Sequence, residues 1–351
     1  MSNPNPSTDK GANEAGTNST LYNIKKFLAE KNSLIILVIL IIVSINISDI
    51  FLTKGNVVNI LRQQTTYMLV SLGVMMVVMT GGIDLSISSI VAVGSILSVQ
   101  ALNNWGLPSP INIIVAVLVS AISGAVFGTL NGYLIANWRM KPFIVTIATS
   151  NVATGFAYIL TKGAPIRLEV KTNPAAAGLV EFAQTVDPVF GLPLMFYVAL
   201  FFVILFYLLM RYTKFGRLVV ATGSNEKAVR LAGINVKKYV ASAYIISGAL
   251  AGFVGLLVAA RSSMATPQTA ADDYGIAAIS AVVIGGVSLE GGRGAVPQVV
   301  IGVFIMAIIT NIMNLLSVAA YPQLVVKGSI IILAVLLRSI SDRSSDKLSA
   351  K

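Results

Sequence analysis

The sequence predicts an all-α, polytopic membrane protein, and three observations carry that prediction. Of the 351 residues, 56% are hydrophobic and only 11% are charged, whereas a soluble chain is about a quarter charged. Apolar runs long enough to cross ~30 Å of hydrocarbon recur along the chain, and the mean hydropathy is +0.83. The short segments of alternating polarity that a membrane barrel needs are absent.

The elements follow in order. Residues 1–20, "MSNPNPSTDKGANEAGTNST", are polar and low in complexity, which predicts a disordered tail. They lack the basic start and short apolar core of a signal peptide. Residues 21–32 place Leu21, Ile24, Phe27 and Leu28 on one helical face flanked by Lys25, Lys26 and Lys31, the pattern of a helix lying on the membrane surface. A transmembrane domain then runs from 33 to 340, followed by a polar tail, 341–351. Within it the hydropathy predicts about ten crossings, near 33–53, 64–80, 86–102, 111–136, 142–161, 191–211, 239–260, 276–287, 295–317 and 323–340. The seventh carries "SGALAGFVG", whose small residues let helix backbones approach closely.

Orientation follows from Lys and Arg. With the N-terminus inside, 18 of the 25 basic residues fall in inner segments and 6 in outer loops. Both termini are therefore expected in the cytoplasm, which requires an even number of crossings. The net charge of +11 belongs to those inner segments and does not mark a nucleic-acid surface. The longest outer loop, about 162–190, is polar and proline-containing, equally consistent with a loose surface loop and a docking surface.

The chain contains no Cys and no His. This excludes thiol and imidazole chemistry and the usual zinc or haem ligation, and there is no G-x-x-x-x-G-K-[ST] phosphate loop. Neither metal nor cofactor is expected, and an enzyme is not. Placing the 14 acidic residues along the predicted topology leaves Asp84 near an inner helix end and Asp272 and Asp273 in an outer loop, with none at mid-membrane depth. That distribution argues against a carrier driven by protons or sodium.

Two glycine interruptions stand out. "TGGIDLS" breaks the second crossing at Gly81 and Gly82, with Asp84 and Ser86 just beyond, and "GGVSLEGG" ends the eighth with Gly285, Gly286, Glu290, Gly291 and Gly292. Paired breaks of this kind point to a pathway lined by discontinuous helices. Asp84 is placed to cap the next helix by accepting from the free N–H groups after Leu85. The longest inner segment, 211–239, is too polar for lipid yet has apolar surface to bury. Its "SNEKAVRLAG" predicts a short helix with Ser224 or Asn225 as N-cap and Gly233 as its end, the form of a docking helix for an energy-supplying partner.

Three motifs together carry a family resemblance from about residue 33 to 340. They are F-G-R-x-x-x-A-x-G-S-N-x-x-A-x-x-L-A-G-I at 215–234, "TGGIDLS", and "AAISAVVIGGVSLEGGRGAV" at 277–296, with the ending "QLVVKGSIIILAVLL". The chain resembles the permease subunits of bacterial ATP-binding-cassette importers for monosaccharides, of ribose and galactose type, within the branched-chain amino-acid/sugar permease superfamily. It departs from that pattern where Ser88 replaces a glycine and where Pro297 stands for a smaller residue.

The resemblance implies a ten-helix subunit of the vitamin-B12-permease (type II importer) arrangement, in the bacterial cytoplasmic membrane. A second copy, a cytoplasmic ATPase and an extracytoplasmic sugar-binding protein would complete the importer, surrounded by lipid and without nucleic acid. Gly216, Arg217, Ala221, Gly223, Asn225, Glu226, Ala228, Arg230 and Gly233, in the 216–236 region, become the coupling segment to the ATPase. The glycine breaks become gate elements. Uncharged hydrogen-bonding residues within crossings, Asn151 and Asn311 above all, with Thr149 and Asn314, become pathway candidates. Arg62, Lys162, Arg167 and Lys171 become docking candidates for the binding protein. The alternative is a stand-alone facilitative or secondary sugar transporter.

Overall fold

A computed structural model describes residues 32–330 and residues 332, 333 and 336. The predicted tails and residues 21–31 of the predicted 21–32 surface helix lie outside the described residues. The helices are α1 (Asn32–Ile47), α2 (Lys54–Met79), α3 (Ile87–Asn104), α4 (Ser109–Trp138), α5 (Pro142–Thr161), α6 (Pro174–Gln184), α7 (Leu194–Tyr212), α8 (Lys214–Ser224), α9 (Glu226–Leu231), α10 (Val236–Ser262), α11 (Tyr274–Gly285) and α12 (Val296–Leu315). A further helical stretch, α13, covers 320–330. Two short strands, β1 (Ile166–Arg167) and β2 (Met264–Ala265), pair antiparallel with Ile166 opposite Ala265.

Among the described residues, six helices are long and apolar enough to cross a membrane: α3, α4, α5, α7, α10 and α12. Such helices satisfy every backbone group within the segment, which hydrocarbon demands. The centre is α10, which packs on α4, α3 and α2. Its closest approach is to α4, where a Cβ on Gly124 would strike the backbone of Gly248 and Gly252. The small residues of "SGALAGFVG" thus do what their spacing predicts, bringing two backbones into contact where hydrophobic driving force between helices is lacking. Outer faces of α4, α5 and α7 instead expose Ile114, Ile122, Val126, Ile159, Phe201 and Ile204.

Three features differ from the sequence expectation. α2 begins at Lys54, ten residues before the predicted crossing, so Arg62 lies on a helix and not in a loop. The 162–190 loop is not loose: α6 buries Ala175, Ala176, Leu179 and Ala183, and Asn173 caps it by accepting from Ala175 N–H at 2.8 Å. Asn173 also donates to the Leu102 carbonyl at the end of α3.

The third concerns depth. Between Met79 and Ile87 the chain has no helix, yet Gly82, Asp84 and Ser86 are buried. Ser86 accepts from Asn131 Nδ2 at 3.0 Å. Asn131 lies seven residues before the end of α4, about 10 Å along the axis. The Tyr244 hydroxyl, eight residues into α10, donates to the Ile83 carbonyl at 3.4 Å. The break in the second crossing is therefore an extended segment that re-enters the protein, and α3 starts inside the bundle. The short α11 reaches the same region, since Gly275 N–H donates to Ser88 Oγ at 3.2 Å. Hydropathy cannot register this, because an extended run and a helix of equal composition score alike.

Candidate functional site

The extended segment must satisfy its backbone groups without a helix ladder. Gly81 takes φ +79°, a conformation only glycine adopts freely, and turns the chain back after α2. The Asp84 carboxylate, wholly buried, accepts from the Ser86 amide at 2.9 Å and the Ser86 hydroxyl at 2.5 Å through Oδ1. The acceptance from the N–H after Leu85 is as the sequence suggests, but the helix cap is not: Ser86 is the N-cap of α3, and Asp84 closes a turn two residues earlier. Asp84 also lies about 10 Å in from the C-terminal end of α4, where the predicted topology had put it near a helix end.

Ser88, the departure from the family pattern, accepts one of the free first-turn amides of α11. Pro297 falls in the first turn of α12, where its missing N–H costs nothing. Both departures are thus structurally absorbed.

The loop after α11 turns on Gly286, Gly291 and Gly292, all at positive φ. Ser288 N–H donates to the Arg293 carbonyl at 2.9 Å, closing it. Glu290 and the glycines there stand beside the first break: Gly292 N–H donates to the Met79 carbonyl at 2.9 Å, and a Cβ on Gly291 would lie 2.9 Å from Gly81 N.

Segment 211–239 holds two short helices between α7 and α10. Thr213 caps α8 by accepting from Gly216 N–H at 3.2 Å, and Gly216 itself packs against the backbone of Leu209 and Met210. Asn225 caps α9, accepting from Ala228 N–H at 2.9 Å, and Gly233 at φ +78° follows its end. Arg217, Glu226, Ala228 and Arg230 are exposed, and Glu226 pairs with Arg230 on the surface. Leu231 is 89% exposed, an unpartnered apolar side chain at the end of this helix. Ala221 is half-buried at the other end of α8.

The two breaks and this segment converge. Gly223 is flush against Met79 O and Gly292 N, where a Cβ would overlap both, and Ser224 contacts Gly292. Three motifs spread over more than 200 residues of chain thus share one junction, with backbone touching backbone.

The pathway candidates do not form one site. Asn311 is buried and exchanges amide bonds with Asn56, donating at 2.7 Å and accepting at 3.0 Å. Asn314 is exposed and accepts from Gln323 at 2.8 Å. On α5, Thr149 is buried and Asn151 exposed. α5 packs on α3 and α4, whereas α12 packs on α1, α2, α7 and α11, so the four residues do not face a common space. Of the outer cations, Lys162, Arg167 and Lys171 are exposed, but Arg62 is half-buried and donates to the Gln184 carbonyl at 2.8 Å, fixing the end of α6.

Sequence reasoning missed a polar cluster elsewhere. Segment 264–273 folds inward from β2, so that Asp273 accepts from the Tyr67 hydroxyl at 3.0 Å and pairs with Lys327 at 2.8 Å. Tyr67 lies 12 residues before the end of α2, about 18 Å along it. A carboxylate therefore does stand well inside the bundle, contrary to the predicted inventory, which assigned Asp273 to the outer loop. The signal available was Lys327, a lone charge at the start of an apolar run.

A bundle of apolar helices broken inside by glycine turns, with a short exposed helix pair between two of the crossings, defines a polytopic membrane permease. The profile of the family "branched-chain amino acid transport system / permease component" matches residues 56–335. The chain is 34% identical over 319 residues to the ribose import permease protein of Escherichia coli K12, covering 90% of this chain and 95% of that one. It is 37% identical over 300 residues to the ribose import permease protein of Bacillus subtilis, covering 86% and 89%. An L-arabinose transporter permease protein of Azospirillum brasilense is 31% identical over 305 residues, covering 86% and 85%. No solved structure gives a significant match. The chain belongs to this permease family, as a multi-pass protein of the bacterial inner membrane and the channel component of an ATP-binding-cassette importer, with the ATPase on a separate subunit.

Proposed function

We propose that this permease carries a monosaccharide of ribose type through the membrane, driven by a cytoplasmic ATPase and supplied by an extracytoplasmic sugar-binding protein. It crosses the membrane ten times with both termini inside and works as a homodimer, with access alternating at the interface between copies. The ATPase pair docks on α9, and its closure moves α8 and α9 together. Lys162, Arg167 and Lys171 meet acidic groups on the binding protein.

One observation carries the mechanism: the backbone junction of Met79, Gly223 and Gly292. With no flexible side chain between them, a displacement of α8 is handed directly to both glycine breaks. Packed elements of this kind shift between discrete arrangements and do not deform smoothly. The break at Gly81 moves the re-entrant 82–86 segment, and the loop at Gly291 and Gly292 moves α11 and α12. Neither step forms or breaks a covalent bond.

A stand-alone carrier is the second reading, favoured by the inward placement of Asp273 beside Lys327. Uptake of radiolabelled ribose into proteoliposomes separates the two. The importer reading expects uptake only when ATP, the ATPase and the binding protein are all present. Uptake by the permease alone overturns it.

A further inference from the structure

Between α2, α11, α12 and α13 lies a small cleft, partly open to the surroundings. Gln63, Gln64, Tyr67, Thr310 and Lys327 line it, and the remaining lining is apolar. Gln64 is only 8% exposed. Its amide and the Thr310 hydroxyl make no hydrogen bond among the described residues, which leaves both open to a ligand in the cleft. The charges beside them cancel: Lys327 is neutralised by Asp273, which also holds the Tyr67 hydroxyl. The Tyr67 ring stacks on Tyr274 with centroids 5.1 Å apart, fixing it as a flat wall.

We propose that this cleft is a transit site for the permeating sugar, in which Gln63, Gln64 and Thr310 bond its hydroxyl groups beside the Tyr67 ring. The inference rests on the importer reading above and adds where within this chain the substrate is held. The chemistry selects a neutral polyol. The unpaired groups are the Gln64 amide and the Thr310 hydroxyl, which both donate and accept, as alcohols do, while Gln63 spends one N–H on Asn59 at 3.2 Å and keeps its amide oxygen free. An anion would meet a lysine already paired, and a cation would find no free carboxylate. A ring with an apolar face suits the C–H face of a sugar, while its edge groups take the hydroxyls.

The test uses the complete importer in proteoliposomes, with ribose as the probe, and measures uptake beside binding-protein-stimulated ATP hydrolysis. Gln64→Leu and Thr310→Val remove the bonding groups while keeping similar volume. Uptake should fall by about tenfold in Gln64→Leu, the effect of one lost hydrogen bond to the substrate in transit, while ATP hydrolysis stays near wild type. Uptake close to wild type in both variants overturns the proposal. So does a parallel fall in uptake and hydrolysis, which assigns the residues to assembly. Should Gln64→Leu fail to assemble, Thr310→Val decides by the same two readouts. Failure of the importer reading shows in the wild type instead, as ribose uptake without ATP, and the variants then decide on that flux.

Discussion

Replacing Gly223 with alanine places one methyl group into the junction that joins α8 to both glycine breaks. The new Cβ meets Met79 O and Gly292 N, which are themselves hydrogen-bonded at 2.9 Å. Forcing that bond open costs about 1 kcal/mol net. Overpacking between backbones that cannot rotate aside adds about 1–3 kcal/mol. Better helix propensity in α8 returns about 1 kcal/mol. The remainder, about 1–3 kcal/mol, is taken from the junction and corresponds to roughly 5- to 150-fold in coupling. The assay is sugar moved per ATP hydrolysed by the reconstituted importer, read beside the thermal unfolding temperature of the permease. Gly178→Ala is the control, since nothing lies within 4 Å of a Cβ there. Uptake per ATP in Gly223→Ala equal to that of the control would refute the reasoning, because the motion would then bypass this contact.

Four other outcomes are expected. Asn56→Ala and Asn311→Ala should each destabilise by about 1–3 kcal/mol by stranding the partner amide, and the double variant should cost less than their sum in thermal unfolding. Asp84→Asn retains an acceptor for the Ser86 amide and should keep the fold, whereas Asp84→Ala strands that buried amide and should lower stability by about 1–3 kcal/mol, measured in the same way. Leu231→Glu leaves the unfolding temperature unchanged, since the side chain touches almost nothing, but should abolish co-purification of the ATPase. Asp187 accepts from Phe190 N–H at 2.7 Å and the Tyr197 hydroxyl at 3.1 Å, and the Phe190 bond foremost holds its carboxyl below the usual range. Its folded value being the lower one, the stabilisation of this turn is full above the ordinary aspartate range and is lost as pH falls through the folded value. The protection of amides across 185–193, measured against the intrinsic exchange rate at each pH, should therefore fall at acid pH, and more so in wild type than in Asp187→Asn.

Much of the candidate site was legible in the sequence. The cap at Asn225, the close approach of "SGALAGFVG", and the glycine breaks are each written in residue types whose local effect is fixed by stereochemistry: an acceptor before a helix, no side chain at a contact, positive φ in a turn. Depth was less legible. Asp84 and Asp273 were placed by counting along apolar runs, and that count assumes each run crosses once as a straight helix. Residues 82–86 and 264–273 violate the assumption by running extended or irregular inside protein, where neighbouring helices supply the partners that lipid cannot. The pathway candidates were ambiguous for a similar reason. An amide within a crossing is equally well explained by a partner amide on the next helix, as Asn311 and Asn56 show.

The sequence by itself determined the class of the protein, its long apolar helices and the positions of its glycine breaks, because hydrocarbon imposes length and composition on each segment separately. What only the tertiary structure decided was which breaks meet. That Met79, Gly223 and Gly292 share one junction, and that Asp273 turns inward to Lys327 and Tyr67, depends on how helices far apart in the chain pack side by side. Packing of that kind is set by the fit of whole surfaces, which no local run of residues encodes.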